Sequence, residues 1–199
     1  MYTKLANSIT DFFVQHQIIP KSERDNYAFG YEVLISETVY VFMMLVISLA
    51  FSAFVESLLF FVGFFVFRKL AGGYHAATYL RCHIIFALNQ IACLILLSFI
   101  PSFLYSYIFL TLAVLLPVIT FISAPIDNEN KPFTNKEYKR YKKLSRIFII
   151  IFSFFNVGTV YIFDNLNSRC VFALCIGVLS ANISLLYAYI KRRVENEKV

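Results

Sequence analysis

The chain has 199 residues, 59% of them hydrophobic and 15% charged, with a formal net charge of +6. Soluble domains average about 45–50% apolar and about 25% charged residues, so the composition excludes an ordinary soluble domain and points to a lipid-embedded one. Four cysteines, at 82, 93, 170 and 175, show no CxxC spacing, which argues against a structural zinc site or a disulfide framework.

Residues 1–20 are expected to form an amphipathic helix. Leu5, Ile9, Phe12 and Phe13 fall at steps of three and four, which suits a helix lying on the membrane surface or packed on the rest of the chain. Pro20 ends it. No apolar core of signal-peptide length follows a basic start.

Six apolar blocks follow, at 31–53, 57–67, 83–100, 103–123, 147–163 and 170–190. A spanning helix needs about 20 residues, with a range of about 17–25, and five blocks meet that. The second is short. It spans if it starts near Ala53 and lets Arg68 and Lys69 snorkel; otherwise it is re-entrant. The expected fold is an all-α integral membrane protein of about six transmembrane helices, with an interfacial helix at the start. Residues 1–199 read as a single polytopic domain without internal repeats.

Cations divide the connections into two kinds. Lys4, Lys21 and Arg24 precede block one, and Arg68, Lys69 and Arg81 lie between blocks two and three. Seven cations lie between blocks four and five: Lys131, Lys136, Lys139, Arg140, Lys142, Lys143 and Arg146. Lys191, Arg192, Arg193 and Lys198 end the chain. The other connections, "FVES", "IPSF" and "DNLNSR", hold one cation among them. Positive loops stay in the cytoplasm. With six spans every rich connection falls inside, which places both termini, the 67–82 segment and a basic 124–146 loop in the cytoplasm.

The stretch "FRKLAGGYHAATYLRCHIIF" then stands out. A thiol acts as a nucleophile in its thiolate form, which a neighbouring His or a helix N-terminus favours. Cys82 opens block three, beside Arg81. Seven residues on one straight helix put His75 and Cys82 on one face but about 10.5 Å apart, too far for proton transfer. A working pair therefore needs a bend within 72–81, and Gly72 and Gly73 supply one. The bland alternative is an interfacial His and a packing Cys. His83 is the weaker partner, since adjacent helical residues diverge by about 100°. Zinc held by His75, Cys82 and His83 would need a fourth ligand or an open water position, and no carboxylate lies in the stretch. Glu32, a carboxylate near the end of the first span, is costly there. It orients His75, pairs with Arg68 or Lys69, or lies at the interface. Glu37, Asn89 and Gln90 are also polar within spans, and helix–helix hydrogen bonding suits the two amides.

"FRKLAGGYHAATYLRC" resembles the signature of the accessory gene regulator B (AgrB-like) family, integral membrane cysteine endopeptidases of Gram-positive bacteria. An arginine, a Gly before the His and a Cys seven residues after it stand here as Arg68, Gly73, His75 and Cys82. "SAPIDNENKP" with the basic "KEYKRYKKLSR" resembles the family's central loop, and "NYAFGYEVL" the segment entering its first span. The resemblance implies processing of a quorum-sensing peptide precursor at the bacterial cell membrane without a cofactor. Cys82 would be the nucleophile and His75 the general base. A thioester acyl-enzyme would then be attacked by a Cys or Ser of the peptide, closing a thiolactone or lactone. It also implies an acidic precursor tail. Seven cations against Asp127, Glu129 and Glu137 leave +4 locally, so Lys139, Arg140, Lys142 and Lys143 are candidates to attract it. Positive-inside anchoring and anionic lipid explain the same charges. Nucleic acid fits less well, because no soluble domain carries it. A homodimer is ordinary for so small a membrane enzyme. The competing readings are a small transporter, which would favour paired broken helices, and a non-catalytic signalling scaffold.

The cation count predicts sidedness. Cysteines engineered at Asn130 and Asn165 should label from opposite sides of intact cells, over the background of the unsubstituted chain. Labelling from the same side contradicts the six-span arrangement between them.

Overall fold

The computed structural model describes residues 2–73, 78–127, 133–161 and 168–196. Among them are seven α-helices: α1 (Tyr2–Gln15), α2 (Arg24–Ala50), α3 (Phe54–Ala71), α4 (Tyr79–Phe99), α5 (Tyr105–Ser123), α6 (Asn135–Tyr161) and α7 (Ser168–Asn196). No strand occurs among the described residues, as an all-α membrane protein requires. The chain forms two compact units, Met1–Val46 and Ile47–Val199.

In the first unit, α1 runs back along the start of α2. The Thr3 hydroxyl donates to Glu32 Oε1 at 2.6 Å, Arg24 Nε meets Asp11 Oδ1 at 2.7 Å, and Phe13 stacks on Tyr31 with centroids 5.9 Å apart. Leu5 and Phe12 stay exposed, so the helix has both a packed side and an outward apolar side. It ends at Gln15 rather than at Pro20. The chain turns at Gln17, whose φ is +59°, and Pro20 caps the short 3₁₀ turn Lys21–Glu23.

Among the described residues five stretches are long and apolar enough to cross a membrane: Lys21–Ala50, Tyr79–Phe99, Ser102–Ser123, Asn135–Tyr161 and Arg169–Glu195. The expected six are therefore not all of that kind. Helix α3 has 18 residues, about 27 Å at 1.5 Å per residue, and carries Glu56, Arg68 and Lys69. It is nonetheless one continuous helix, extending past the short apolar block at both ends.

The second unit is organised around α3 and α7, which run parallel. Near their starts Arg169 Nε lies 3.6 Å from Glu56 Oε1. Near the end of α3, Arg68 Nη1 donates to Ser184 Oγ at 2.9 Å. Between these points the backbones touch. A Cβ at Gly177 would fall on the Phe60 carbonyl, and one at Gly63 on the Leu174 carbonyl. Small residues that let backbones approach are the usual means of helix association in lipid, where apolar surface gains little by leaving the solvent. Phe60, Phe64 and Phe86 fill the space toward α4, with Phe86 centred 5.9 Å from Phe60 and 5.4 Å from Phe64.

Buried polar groups link α7 to α5 and α6. The Thr120 hydroxyl of α5 lies 2.9 Å from Asn182 Oδ1, whose Nδ2 donates to the Val178 carbonyl at 3.0 Å. Cys175 Sγ donates to Asn156 Oδ1 of α6 at 3.0 Å. Outward faces are apolar, with Phe99 79% and Phe154 72% exposed. Such surface is untenable in water at this extent and natural against lipid.

The basic 124–146 segment differs from a loop over most of its length, because α6 begins at Asn135. Glu137 Oε2 accepts from the Thr134 N–H at 2.9 Å, and Thr134 Oγ1 accepts from the Glu137 N–H at 3.3 Å. This reciprocal capping box starts the helix. The cations from Lys136 to Arg146 thus ride on a helix that continues into the apolar "IFIIIFSFF".

The α3–α7 contact predicts a contrast between glycines. Gly177→Ala and Gly63→Ala each place a methyl on a backbone carbonyl and should destabilise by about 1–3 kcal/mol, read as a lower unfolding temperature in detergent micelles. Gly30 has nothing within 4 Å of an added Cβ, so Gly30→Ala should match or exceed wild type through its helix propensity, by up to about 1 kcal/mol. A Gly177→Ala protein as stable as wild type contradicts the packing.

Candidate active site

Cys82 lies in the first turn of α4. Thr78 caps that helix in extended conformation, and its side chain accepts the Arg81 N–H at 3.4 Å. The Cys82 N–H bonds to the Thr78 carbonyl at 3.3 Å, the first i→i−4 bond of the helix. The thiol therefore sits at the positive end of the helix dipole. Cys82 is half-buried, whereas His83 is 1% exposed. The two adjacent side chains thus face different surroundings. His75, the expected base, lies outside the described residues.

The glycine pair ends α3. Gly72 has φ +80° and Gly73 φ +153°, values that L side chains rarely adopt. Both also sit against neighbours. A Cβ on Gly72 would fall on the Ile126 carbonyl oxygen, and the Ile126 N–H bonds to the Ala71 carbonyl at 3.0 Å. A Cβ on Gly73 would lie 3.1 Å from Ser184 Oγ and 3.3 Å from Arg68 Nη1. The Arg68 guanidinium also lies 5.6 Å from the centre of the Phe64 ring. The "AGG" of one motif is thus packed on the "API" of the other, although more than fifty residues separate them in the chain.

The next residue anchors this strap. Asp127 Oδ1 accepts from Arg192 Nη1 of α7, and Oδ2 accepts from the Phe133 N–H at 3.2 Å. Burial pushes the Asp127 carboxyl up, but Arg192 and the Phe133 N–H together hold it below its ordinary value. A lowered carboxyl pKa contributes stability above the unfolded value, and loses it as pH falls through the folded one.

These contacts gather the cation-rich segments at one end of the second unit. Ala71 meets Ile126, Asp127 meets Arg192, and Arg146 Nη2 donates to the Phe121 carbonyl at 3.4 Å. Glu56 and Arg169 mark the opposite end. Of the basic candidates, Lys139, Arg140 and Lys143 are exposed and Lys142 is half-buried. Lys139, Lys142 and Lys143 line an open groove of about 470 Å³ with Phe121, Arg146, Ile147 and Ile150.

Glu32 belongs to the first unit, where Thr3 donates to it. Ser184, Ile126, Asp127 and Arg192 were not singled out from sequence. A polar Ser within an apolar block was the only cue for Ser184. For Asp127 the cue was its place in the recognised loop, next to Ile126.

The AgrB family model, described as accessory gene regulator B, matches residues 6–190. The chain is 27% identical over 169 residues to an AgrB-like protein of Clostridium perfringens strain SM101, covering 80% of this chain and 79% of that one. It is 29% identical over 143 residues to AgrB-like protein 2 of Clostridium perfringens strain 13, covering 69% and 67%. No solved structure matches the chain. A family match from Ala6 to Ile190 takes in the glycine turn, the opening of α4, the Ile126–Asp127 strap and nearly all of α7: the chain belongs to the accessory gene regulator B family.

Proposed function

We propose that the chain is a cysteine endopeptidase of the bacterial cell membrane that cleaves an autoinducing-peptide precursor and promotes its cyclisation. The observation that carries this reading is Cys82 in the first turn of an apolar helix, nine residues after the glycine turn that ends α3, in a member of this family. His75 takes the Cys82 proton as Sγ attacks the scissile carbonyl carbon. The tetrahedral adduct collapses, the C–N bond breaks, and His75 returns the proton to the leaving amine. The product is a thioester on Cys82. A thiol or hydroxyl within the bound peptide then attacks that thioester, the C–S bond to Cys82 breaks, and a thiolactone or lactone closes. Cys82 regains its proton.

We place this site at the cytoplasmic edge, with both termini cytoplasmic and α3 counted as a sixth span. The clustering of cation-rich segments at one end of the second unit supports that orientation. So does the parallel course of α3 along α7, a helix long enough to cross. Glu32 is retained as a candidate to orient His75. The exposed cations of α6 are proposed to draw in an acidic precursor tail, and anionic lipid is the other partner that fits them. A homodimer is compatible with this reading.

Cys82→Ser and Cys82→Ala should leave the protein in the membrane and lower precursor cleavage by at least about a thousandfold. His75→Ala should lose cleavage as well, and His83→Ala should be far milder. Wild-type cleavage by Cys82→Ala would falsify the peptidase reading. For the basic face, replacing Lys139, Arg140, Lys142 and Lys143 by Gln should raise KM and leave kcat little changed, because attraction to the tail need not grow in the transition state. High salt should mimic the loss, since exposed charges are screened beyond about 8 Å at physiological ionic strength. An unchanged KM with normal insertion leaves these cations a topological or lipid-binding role.

A further inference from the structure

We propose that Asp127 and Arg192 form a positioning pair that clamps the central strap onto the glycine turn and so fixes the end of α3 from which the chain runs on to Cys82. The proposal rests on the peptidase reading for its catalytic consequence, and on geometry alone for its structural one.

The strap leaves α5 at Ser123 and reaches Asp127 in four residues. Among its described residues one backbone bond, Ile126 N–H to the Ala71 carbonyl, reaches α3. Gly72 lacks the Cβ that would push the Ile126 carbonyl away, so contact there is close but supplies no bond of its own. One hydrogen bond of this kind contributes little net stability. The Asp127 side chain adds the missing restraint. Its carboxylate is mostly buried, with 17% side-chain exposure, and both oxygens are engaged, one by α7 and one by the Phe133 N–H ahead of α6. An exposed ion pair would add little. A sheltered carboxylate held from two sides fixes the main chain beside it, because leaving it unpaired is costly.

The restraint acts at a sensitive place. Gly72 and Gly73 adopt conformations that glycine tolerates but does not enforce. Their geometry must be imposed by what packs on them: Ile126 on Gly72, and the Arg68–Ser184 bond on Gly73. Both clamps end on α7, at Arg192 and Ser184, eight residues apart and so about two turns along one helix. The turn is therefore held between α3 and the strap, with α7 fixing both. From Gly73 the chain reaches the Thr78 cap within five residues, and Cys82 follows in the first turn. A loosened strap lets the turn rotate. The thiol then loses its alignment, although neither Asp127 nor Arg192 touches the reacting atoms.

The test uses the full-length protein in lipid nanodiscs and two readouts. The first is amide hydrogen exchange in peptides covering 68–73 and 78–86. The second is precursor cleavage resolved into kcat and KM. Asp127→Ala should speed exchange in both peptides and lower kcat, each by about tenfold, with KM within about twofold, as expected when alignment and not binding is lost. Asp127→Asn, which keeps the shape and drops the charge, should fall between. The reversed pair, Asp127→Arg with Arg192→Asp, should restore both readouts to within about threefold, as a direct coupling requires. Glu195→Ala, which removes the exposed i,i+4 pair with Lys191, should change neither. Unchanged exchange in both Asp127→Ala and Asp127→Asn, or no recovery in the reversed pair, overturns the proposal. Exchange that responds and recovers in a protein whose wild type does not cleave overturns the peptidase reading and still supports the positioning pair.

Discussion

The close approach of α3 and α7 at Gly63 and Gly177 is the contact on which the rest of the second unit depends. In lipid the hydrophobic effect does not drive helices together, so shape and a few polar bonds must. Two glycines facing backbone carbonyls remove the side chains that would keep the helices apart. The parallel course this produces sets what each end holds. Glu56 meets Arg169 where both helices start, and Arg68 meets Ser184 where α3 stops. A parallel pair of unequal length also leaves α7 projecting beyond α3. That projection carries Arg192 past the glycine turn to the level of Asp127.

The polar groups in the unit follow from the same arrangement. Asn156, Cys175, Thr120 and Asn182 bond across α5, α6 and α7, which locks the rotation of each helix about its own axis. Apolar contacts alone would do this poorly, since Phe and Leu surfaces slide and repack at small cost. Rotational setting matters at the cation-rich end. Turning α7 by one residue would carry Ser184 and Arg192 about 100° away from their partners.

Much of this was legible in the sequence. The apolar blocks marked α4, α5 and α7 closely and the apolar parts of α2 and α6, and the two-sided distribution of cations anticipated which segments of the second unit would meet. Cys82 was expected to open a helix, and it lies in the first turn of α4. The glycine pair was expected to break the chain at the end of α3, and it does. Other features were hidden for physical reasons. Hydropathy reads "KEYKRYKKLSR" as a loop because its charge hides its helicity; the capping box from Thr134 to Glu137 was the signal that outweighed it. The short second block hid an 18-residue helix, since Glu56, Arg68 and Lys69 interrupt the apolar run that hydropathy measures. The Asp127–Arg192 and Arg68–Ser184 pairs join positions 65 and 116 apart in the chain. No local pattern encodes a partner at that distance. The link between the two recognised motifs was hidden for the same reason: each was visible alone, and their packing was not.

The architecture bears on the step that separates a cyclising peptidase from a hydrolase. On the proposed mechanism the thioester at Cys82 has two competing fates, attack by water or attack by the bound peptide. Water is abundant, so cyclisation wins only if the internal nucleophile is held near the thioester and water is kept scarce. Correct placement of an intramolecular nucleophile gives effective concentrations far above that of bulk water, on the order of 10⁵ M or more in favourable cases. That advantage disappears if the acyl group swings freely on its sulfur. On this reading a glycine turn held by α3, the strap and α7 shortly before the helix that carries Cys82 limits such swinging. The aliphatic residues beside Cys82 along α4, Leu80, Ile84 and Ile85, are exposed in the isolated chain and would face lipid or bound peptide in place of water. The glycine turn then has a physical purpose on this reading: it helps hold the nucleophile at the boundary where the peptide arrives, in a setting that favours ring closure over hydrolysis.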